Sequence, residues 1–211
     1  HNIPVRVFEQ LEEFREVGAG IQLGPNIFRA LDKIGLKDEL LIEAWQPGKL
    51  EMRDALTGEV ITTIPLGERF LQRFNYPFAV THRADIHAVY LDACRSLDRI
   101  SLETGRRIAD FKETEDGVML WLDSGEPIKG AALIGCDGLW SRIRAKIVND
   151  GEPRLSGQIA YRAVIKREDV PNDLWRPNLV LWAGPRTHLL HYPMRRGTLY
   201  NLVAVFHSNR Y

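Results

Sequence analysis

The composition contains little that would direct this chain toward nucleic acid, a membrane or a disulfide scaffold. Its 28 basic and 28 acidic side chains cancel, so neither a nucleic-acid footprint nor attraction to an anionic membrane is expected. Two cysteines, Cys94 and Cys136, stand far apart; two such thiols do not make a disulfide framework, which suits a reducing cytoplasm. No apolar run approaches the roughly 20 residues that a membrane-spanning helix needs, and no signal peptide is recognisable. Metal ligands are also sparse. His188 and His191 have a zinc-like spacing only if helical; on a strand they point to opposite faces, and no nearby cysteine or carboxylate offers a third ligand. No metal is therefore expected. A glycine-rich phosphate loop is missing too. Gly18, Gly20 and Gly24 have the wrong spacing, and the residues before them are charged rather than strand-like.

What remains is a chain of 211 residues, 45% hydrophobic, able to bury a real core in one large or two small domains. Val5–Glu9 reads as a short strand ending in an acid. Ile27, Leu31 and Ile34 follow one helical face after Pro25, with Gly35 as the stop, and Lys37–Ala44 reads as a second helix. Lys49–Arg53 and Glu59–Ile64 form a hairpin pattern. Phe78–Thr81 is a strand leading into a helix with Ile86, Val89, Tyr90, Ala93 and Leu97 on one side. Strands at 100–103, 107–114 and 118–122 follow. After Ile147 the composition shifts through the linker-like Asn149–Pro153, and Gln158–Ile165, Leu179–Ala183, Thr187–Tyr192 and Leu199–His207 predict an antiparallel sheet. The expected class is α/β, α+β overall, with a boundary near 152: residues 1–152 and 153–211.

One stretch organises this pattern. Ala131–Ile134 reads as a buried strand, Asp137-Gly138 as a tight turn, and a helix follows with Trp140, Ile143 and Ile147 on one face. Backbone N–H groups at such a start attract phosphate, and Gly138 lets a ligand approach. Asp137 would instead accept from sugar hydroxyls, hold the turn, or cap the helix.

This stretch resembles the Asp-Gly motif of the class A flavoprotein aromatic hydroxylases. Phe8-Glu9-Gln10, Glu16–Asn26, Thr81–His87 and Ala160-Tyr161-Arg162 agree in order and spacing. The resemblance covers nearly the whole chain and is nearest to the 3-hydroxybenzoate 6-hydroxylases, with the salicylate and 6-hydroxynicotinate hydroxylases close by. It implies a Rossmann-like FAD-binding domain and a second, antiparallel β-sheet substrate domain. In that family the residue matching Glu9 binds the adenosine ribose, the Gly20–Gln22 segment lies beside the flavin, and Arg83, Asp137 and Gly138 serve the cofactor. Two cofactor-holding segments of the family, the amino-terminal GxGxxG and a later Gly-Asp, find no match in this sequence. A non-catalytic fragment or binding module is therefore a competing expectation.

His188 and Tyr192, four apart on one strand, share a face. By spacing alone they serve equally as filler on a half-buried sheet. The resemblance makes them substrate-facing. It implies a reaction in which NADH or NADPH reduces FAD, O2 adds to give a flavin C4a-hydroperoxide, and a small phenolic acid such as 3-hydroxybenzoate attacks it. A neutral His188 would take the phenol proton and Tyr192 would orient the ring. Gln22 favours hydroxybenzoate over hydroxynicotinate; decarboxylative hydroxylation of salicylate, or a plain reductase or oxidase, are the other readings. The expected partners are the aromatic acid and O2, with homodimers common in the family and a cytoplasmic location.

Overall fold

The computed structural model describes residues 3–15 and 18–208, so Glu16 and Val17 of the resembling stretch lie outside the described residues. In chain order the strands and helices are β1 (Val5–Phe8), β2 (Gly20–Leu23), α1 (Pro25–Lys33), α2 (Lys37–Glu43), β3 (Lys49–Asp54), β4 (Val60–Pro65), α3 (Glu68–Phe74) and β5 (Ala79–His82). Then come α4 (Arg83–Arg95), β6 (Ile100–Glu103), β7 (Ile108–Thr114), β8 (Gly117–Leu122), β9 (Pro127–Gly130) and α5 (Arg142–Val148). The last part is all strand: β10 (Gln158–Lys166), β11 (Leu179–Gly184), β12 (Thr187–Met194) and β13 (Leu199–His207). The class is mixed α/β, as the sequence predicts. No described helix is long and apolar enough to cross a membrane.

The chain divides into two compact units, one of residues 1–14 and 94–156, the other of residues 15–93 and 157–211. A single boundary at 152 is thus corrected to an interleaved division: the chain crosses between units near 14, 93 and 156. The hairpin β3–β4, expected among the first 152 residues' own elements, is the reason. β3 pairs in parallel with β11, extending the late strands into a six-stranded sheet of order β10-β13-β12-β11-β3-β4.

In the first unit β1 and β6 form a parallel pair, Val5 opposite Ile100, closed at one end by Arg6 on Glu103 at 2.7 Å. Beside it, β7, β8 and β9 make an antiparallel meander. The alternation in β8 is realised: Val118, Leu120 and Leu122 are buried with Phe111 and Ile128, and Ile143 of α5 packs on them. Ala131–Ile134 is corrected. These residues form no strand, and Ile134 is 83% exposed. A strand exists only when a neighbour takes its N–H and C=O groups, and no described strand pairs with this run. The expected helix face is reduced for the same reason. Ile143 is packed, whereas Trp140 and Ile147 are exposed.

In the second unit β2 pairs with β5, and α1, α2 and α4 cover one face of that pair. Phe28 and Leu31 are fully buried there with Leu23, Leu40 and Ala79. Ile34 departs from the expected stripe, being 61% exposed. Helix α1 ends at Lys33, and Gly35, at φ +75°, turns the chain into a left-handed step before Ile34 can face inward. On α4, Ile86 and Val89 pack inward while Tyr90 faces solvent; the helix ends at Arg95, so the exposed Leu97 lies beyond it. β2 begins at Gly20 and runs to Leu23. The other face of β2–β5 carries Val80, which joins Leu179, Tyr192 and Met194 in a separate core.

Replacing Leu31 by Ala should cost about 3 kcal/mol through lost burial and the cavity left behind. Ile34→Ala should stay within about 0.5 kcal/mol. Urea unfolding of the two variants checks this; equal losses would contradict the burial assigned to α1.

Candidate active site

Strand β12 carries two chemically different faces, and the register with its neighbours defines both. His188 stands opposite Ala183 on β11 and Val205 on β13, and Tyr192 stands opposite Asn201. The two therefore share a face, about 13 Å apart along the strand. His188 is exposed at one end of this face and Tyr192 is buried at the other. Burial pushes the Tyr192 phenol up to about 12, so it remains a neutral donor across the working pH range.

Gly20 explains why the phenol fits. A Cβ on Gly20 would lie 2.5 Å from Tyr192 Oη and 2.8 Å from both Asn201 Cγ and Met194 Sδ. Only glycine lets β2 approach this corner so closely. The Gly20 N–H donates to Asn201 Oδ1 at 2.9 Å. Gln22, on the same side of β2 as Gly20, is exposed.

The reverse face of the sheet holds a polar network that spacing alone did not reveal. Trp182 Nε1 donates to His191 Nε2 at 2.8 Å, which places the ring hydrogen of neutral His191 on Nδ1, 2.6 Å from Tyr200 Oη. Burial, with the Arg176 cation adding to it, pushes His191 down to about 4. In the same cross-strand row, Glu51 is buried between Lys49 and Arg53, whose cations hold its carboxyl below the ordinary range. Only the pairing of β3, β11, β12 and β13 brings these residues together, and no sequence interval signals it. His188 and His191 fall on opposite faces of β12, and no group of three or more His, Cys, Asp or Glu side chains placed to hold a metal ion is found among the described residues.

The candidate cofactor residues fall in both units. In the first, Glu9 lies just past the carboxyl end of β1; its backbone N–H bonds to Glu103, and its Oε1 accepts the Leu11 N–H at 2.9 Å. The carboxylate is thereby held at the strand end. Asp137 accepts from Ser141 Oγ at 2.5 Å and, through Oδ2, from the N–H groups of Arg142 and Ile143. It therefore satisfies the first two N–H groups of α5, whose N-cap is Ser141, and these bonds hold its carboxyl below the usual range although burial opposes them. Gly138 has φ +77° with open space where a Cβ would stand. In the second unit Arg83 is exposed at the β5–α4 junction, its N–H donating to Ala19 C=O at 3.0 Å. Two residues on, Asp85 receives Arg195 from the β12–β13 turn, Nη2 to Oδ1 at 2.6 Å and Nε to Oδ2 at 3.0 Å. That pair, also invisible in sequence, fixes the junction on which Arg83 stands.

A neutral buried histidine makes stability pH-dependent. Unfolded His191 titrates near 6.5 but the folded residue near 4. The unfolded state therefore binds more protons in that window, and stability falls as pH drops through it, by up to about 3 kcal/mol. Chemical denaturation between pH 7 and 4 should show this slope, and His191→Gln should flatten it.

No family model matches the sequence. Curated relatives do. The chain is 40% identical over 202 residues to 3-hydroxybenzoate 6-hydroxylase 1 of Aquipseudomonas alcaligenes, covering 96% of this chain and 51% of that protein. It is 41% identical over 208 residues to 3-hydroxybenzoate 6-hydroxylase of Klebsiella oxytoca, covering 99% and 52%. It thus spans about half the length of these relatives. Klebsiella pneumoniae HpxO, solved with FAD and uric acid, shares the fold at TM-score 0.81 and 21% identity, covering 97% of this chain and 50% of that one. Over the half of their length that it spans, the chain is thus similar in sequence to the 3-hydroxybenzoate 6-hydroxylases and shares its fold with HpxO.

Proposed function

We propose that this chain is the part of an FAD- and NADH- or NADPH-dependent monooxygenase that recognises and activates a small phenolic acid such as 3-hydroxybenzoate. The observation that carries the reading is one sheet face with an exposed imidazole, His188, at one end and a neutral phenol donor, Tyr192, at the other. It stands in a sequence about 40% identical to 3-hydroxybenzoate 6-hydroxylases. Two ends about 13 Å apart suit a ring held between them, not a single atom gripped by both.

His188 is the base. An ordinary phenol ionises near 10, and a ring hydroxyl that has passed its proton to a neutral imidazole is a far better nucleophile at neutral pH. Tyr192 orients the ring by donating to it, a role that its high pKa favours. Taken residue by residue, each unit offers groups that suit one part of FAD. Glu9 would hold the adenosine ribose and Arg83 the pyrophosphate, Arg offering a fixed fork of donors to an anion. Gly138, in its open left-handed turn beside Asp137, and the Gly20–Gln22 strand would border the rest of the cofactor. When bound and reduced, FAD supplies oxygen in an electrophilic form. Gln22 favours a hydroxybenzoate over a hydroxynicotinate, and decarboxylative hydroxylation of salicylate is the nearest alternative reaction.

A second reading concerns these 211 residues on their own. Because they span about half of their relatives' length, we infer that they bind FAD weakly and turn over no substrate alone. FAD fluorescence quenching measures this directly, and saturation at submicromolar FAD would overturn it.

For the FAD-loaded enzyme, His188→Ala should lower hydroxylation of 3-hydroxybenzoate by at least about 100-fold, the usual contribution of a positioned base. The loss should shrink as pH rises toward the substrate's own ionisation. An unchanged rate would remove His188 from the mechanism. Tyr192→Phe should raise KM about tenfold with little change in kcat, the loss of about one hydrogen bond to substrate.

A further inference from the structure

One buried amide beside the proposed site has half of its hydrogen-bonding capacity engaged and half idle. Asn201 is fully buried on β13, directly across from Tyr192. Its Oδ1 accepts the Gly20 N–H at 2.9 Å, which fixes the way the amide faces. Its Nδ2 carries two hydrogens and has no partner among the described residues. A buried donor left unmatched is costly, and native interiors keep few of them. The phenol oxygen of Tyr192 is placed to answer it: Tyr192 Oη and the Asn201 amide crowd the same empty corner over Gly20, the point a Cβ would occupy 2.5 Å from one and 2.8 Å from the other.

We infer that Asn201 is a positioning residue for Tyr192: when the site is filled, Nδ2 donates to the phenol oxygen, so that the phenol hydrogen points away from Asn201 and into the substrate. The chain of bonds then runs from the Gly20 N–H through the Asn201 amide to Tyr192 and on to the ligand. Each link polarises the next, so the phenol becomes a stronger and better-aimed donor than an isolated tyrosine. Without Asn201 the phenol can rotate its hydrogen toward other acceptors. The inference rests on the proposed substrate-orienting role of Tyr192 and adds the residue that sets its direction.

A double-mutant cycle on the FAD-loaded protein tests it, reading the dissociation constant of 3-hydroxybenzoate with Asn201→Leu and Tyr192→Phe. Asn201→Leu should weaken binding about fivefold to tenfold when Tyr192 is present and less than twofold in the Tyr192→Phe background. Equal weakening in both backgrounds would mean that Asn201 only packs, overturning the inference while leaving the role of Tyr192 intact. Wild-type affinity in Tyr192→Phe alone would overturn the role of Tyr192 itself, and with it the inference. Should Asn201→Leu fail to fold, Asn201→Asp keeps an acceptor for Gly20 and exchanges the donor for a carboxyl. Its affinity loss should deepen as pH rises and the carboxyl ionises, and a flat profile at wild-type affinity would refute the role. In the FAD-loaded protein saturated with 3-hydroxybenzoate, the Tyr192 Cζ resonance, identified by its loss in Tyr192→Phe, should shift with Asn201→Leu well beyond its shift with Leu190→Ala on the same face. Equal shifts would reduce Asn201 to packing.

Discussion

The alternation of β12 between two unlike faces is the constraint on which the second unit depends. Each step along the strand reverses the side chain, so His191 faces the Trp182–Tyr200 network while His188 and Tyr192 face the opposite way. A slip of one residue would exchange the two sets and expose a histidine that is folded neutral. The network behind the sheet therefore fixes the register of the face in front of it. Tyr192 and Met194 then join Val80 and Leu179 in one core, and β2 closes over them only because Gly20 has no side chain.

Electrostatics follow the same division. On the reverse face, charge is either neutralised by burial, as at His191, or paired, as at Glu51 between Lys49 and Arg53. On the front face, His188 remains in reach of solvent and Tyr192 remains protonated. In the first unit the Ala131–Ile134 run pairs with no described strand and only its Leu133 packs on the β8 core, while Asp137 directs its acceptors into α5.

Much of this was legible along the chain. The four late strands fall within a few residues of where alternation and turns put them, because period-two burial is a local signal. The buried residues of β8 and the stop after α1 were equally readable. His188 and Tyr192 were singled out by their spacing joined to a family likeness, and β12 does put them on a common face. Asn201, the His191–Trp182–Tyr200 network and the Asp85–Arg195 pair were not, since each joins residues whose separation in sequence carries no message. Ile34 and Tyr90 show the opposite failure: they keep the helical period but lie where the helix has ended or turned to solvent.

The sequence alone determined most of the elements, the neutral charge balance and the placement of His188 and Tyr192 on a common face, because these depend on composition and on distances of a few residues. Tertiary structure decided which elements share a sheet, drawing β3 and β4 to β11 and dividing the chain into interleaved units. It also decided which polar groups are buried and what they touch. Hydrogen bonding and desolvation depend on neighbours in space, and for Gly20 and Asn201 those neighbours are 181 residues apart in the chain.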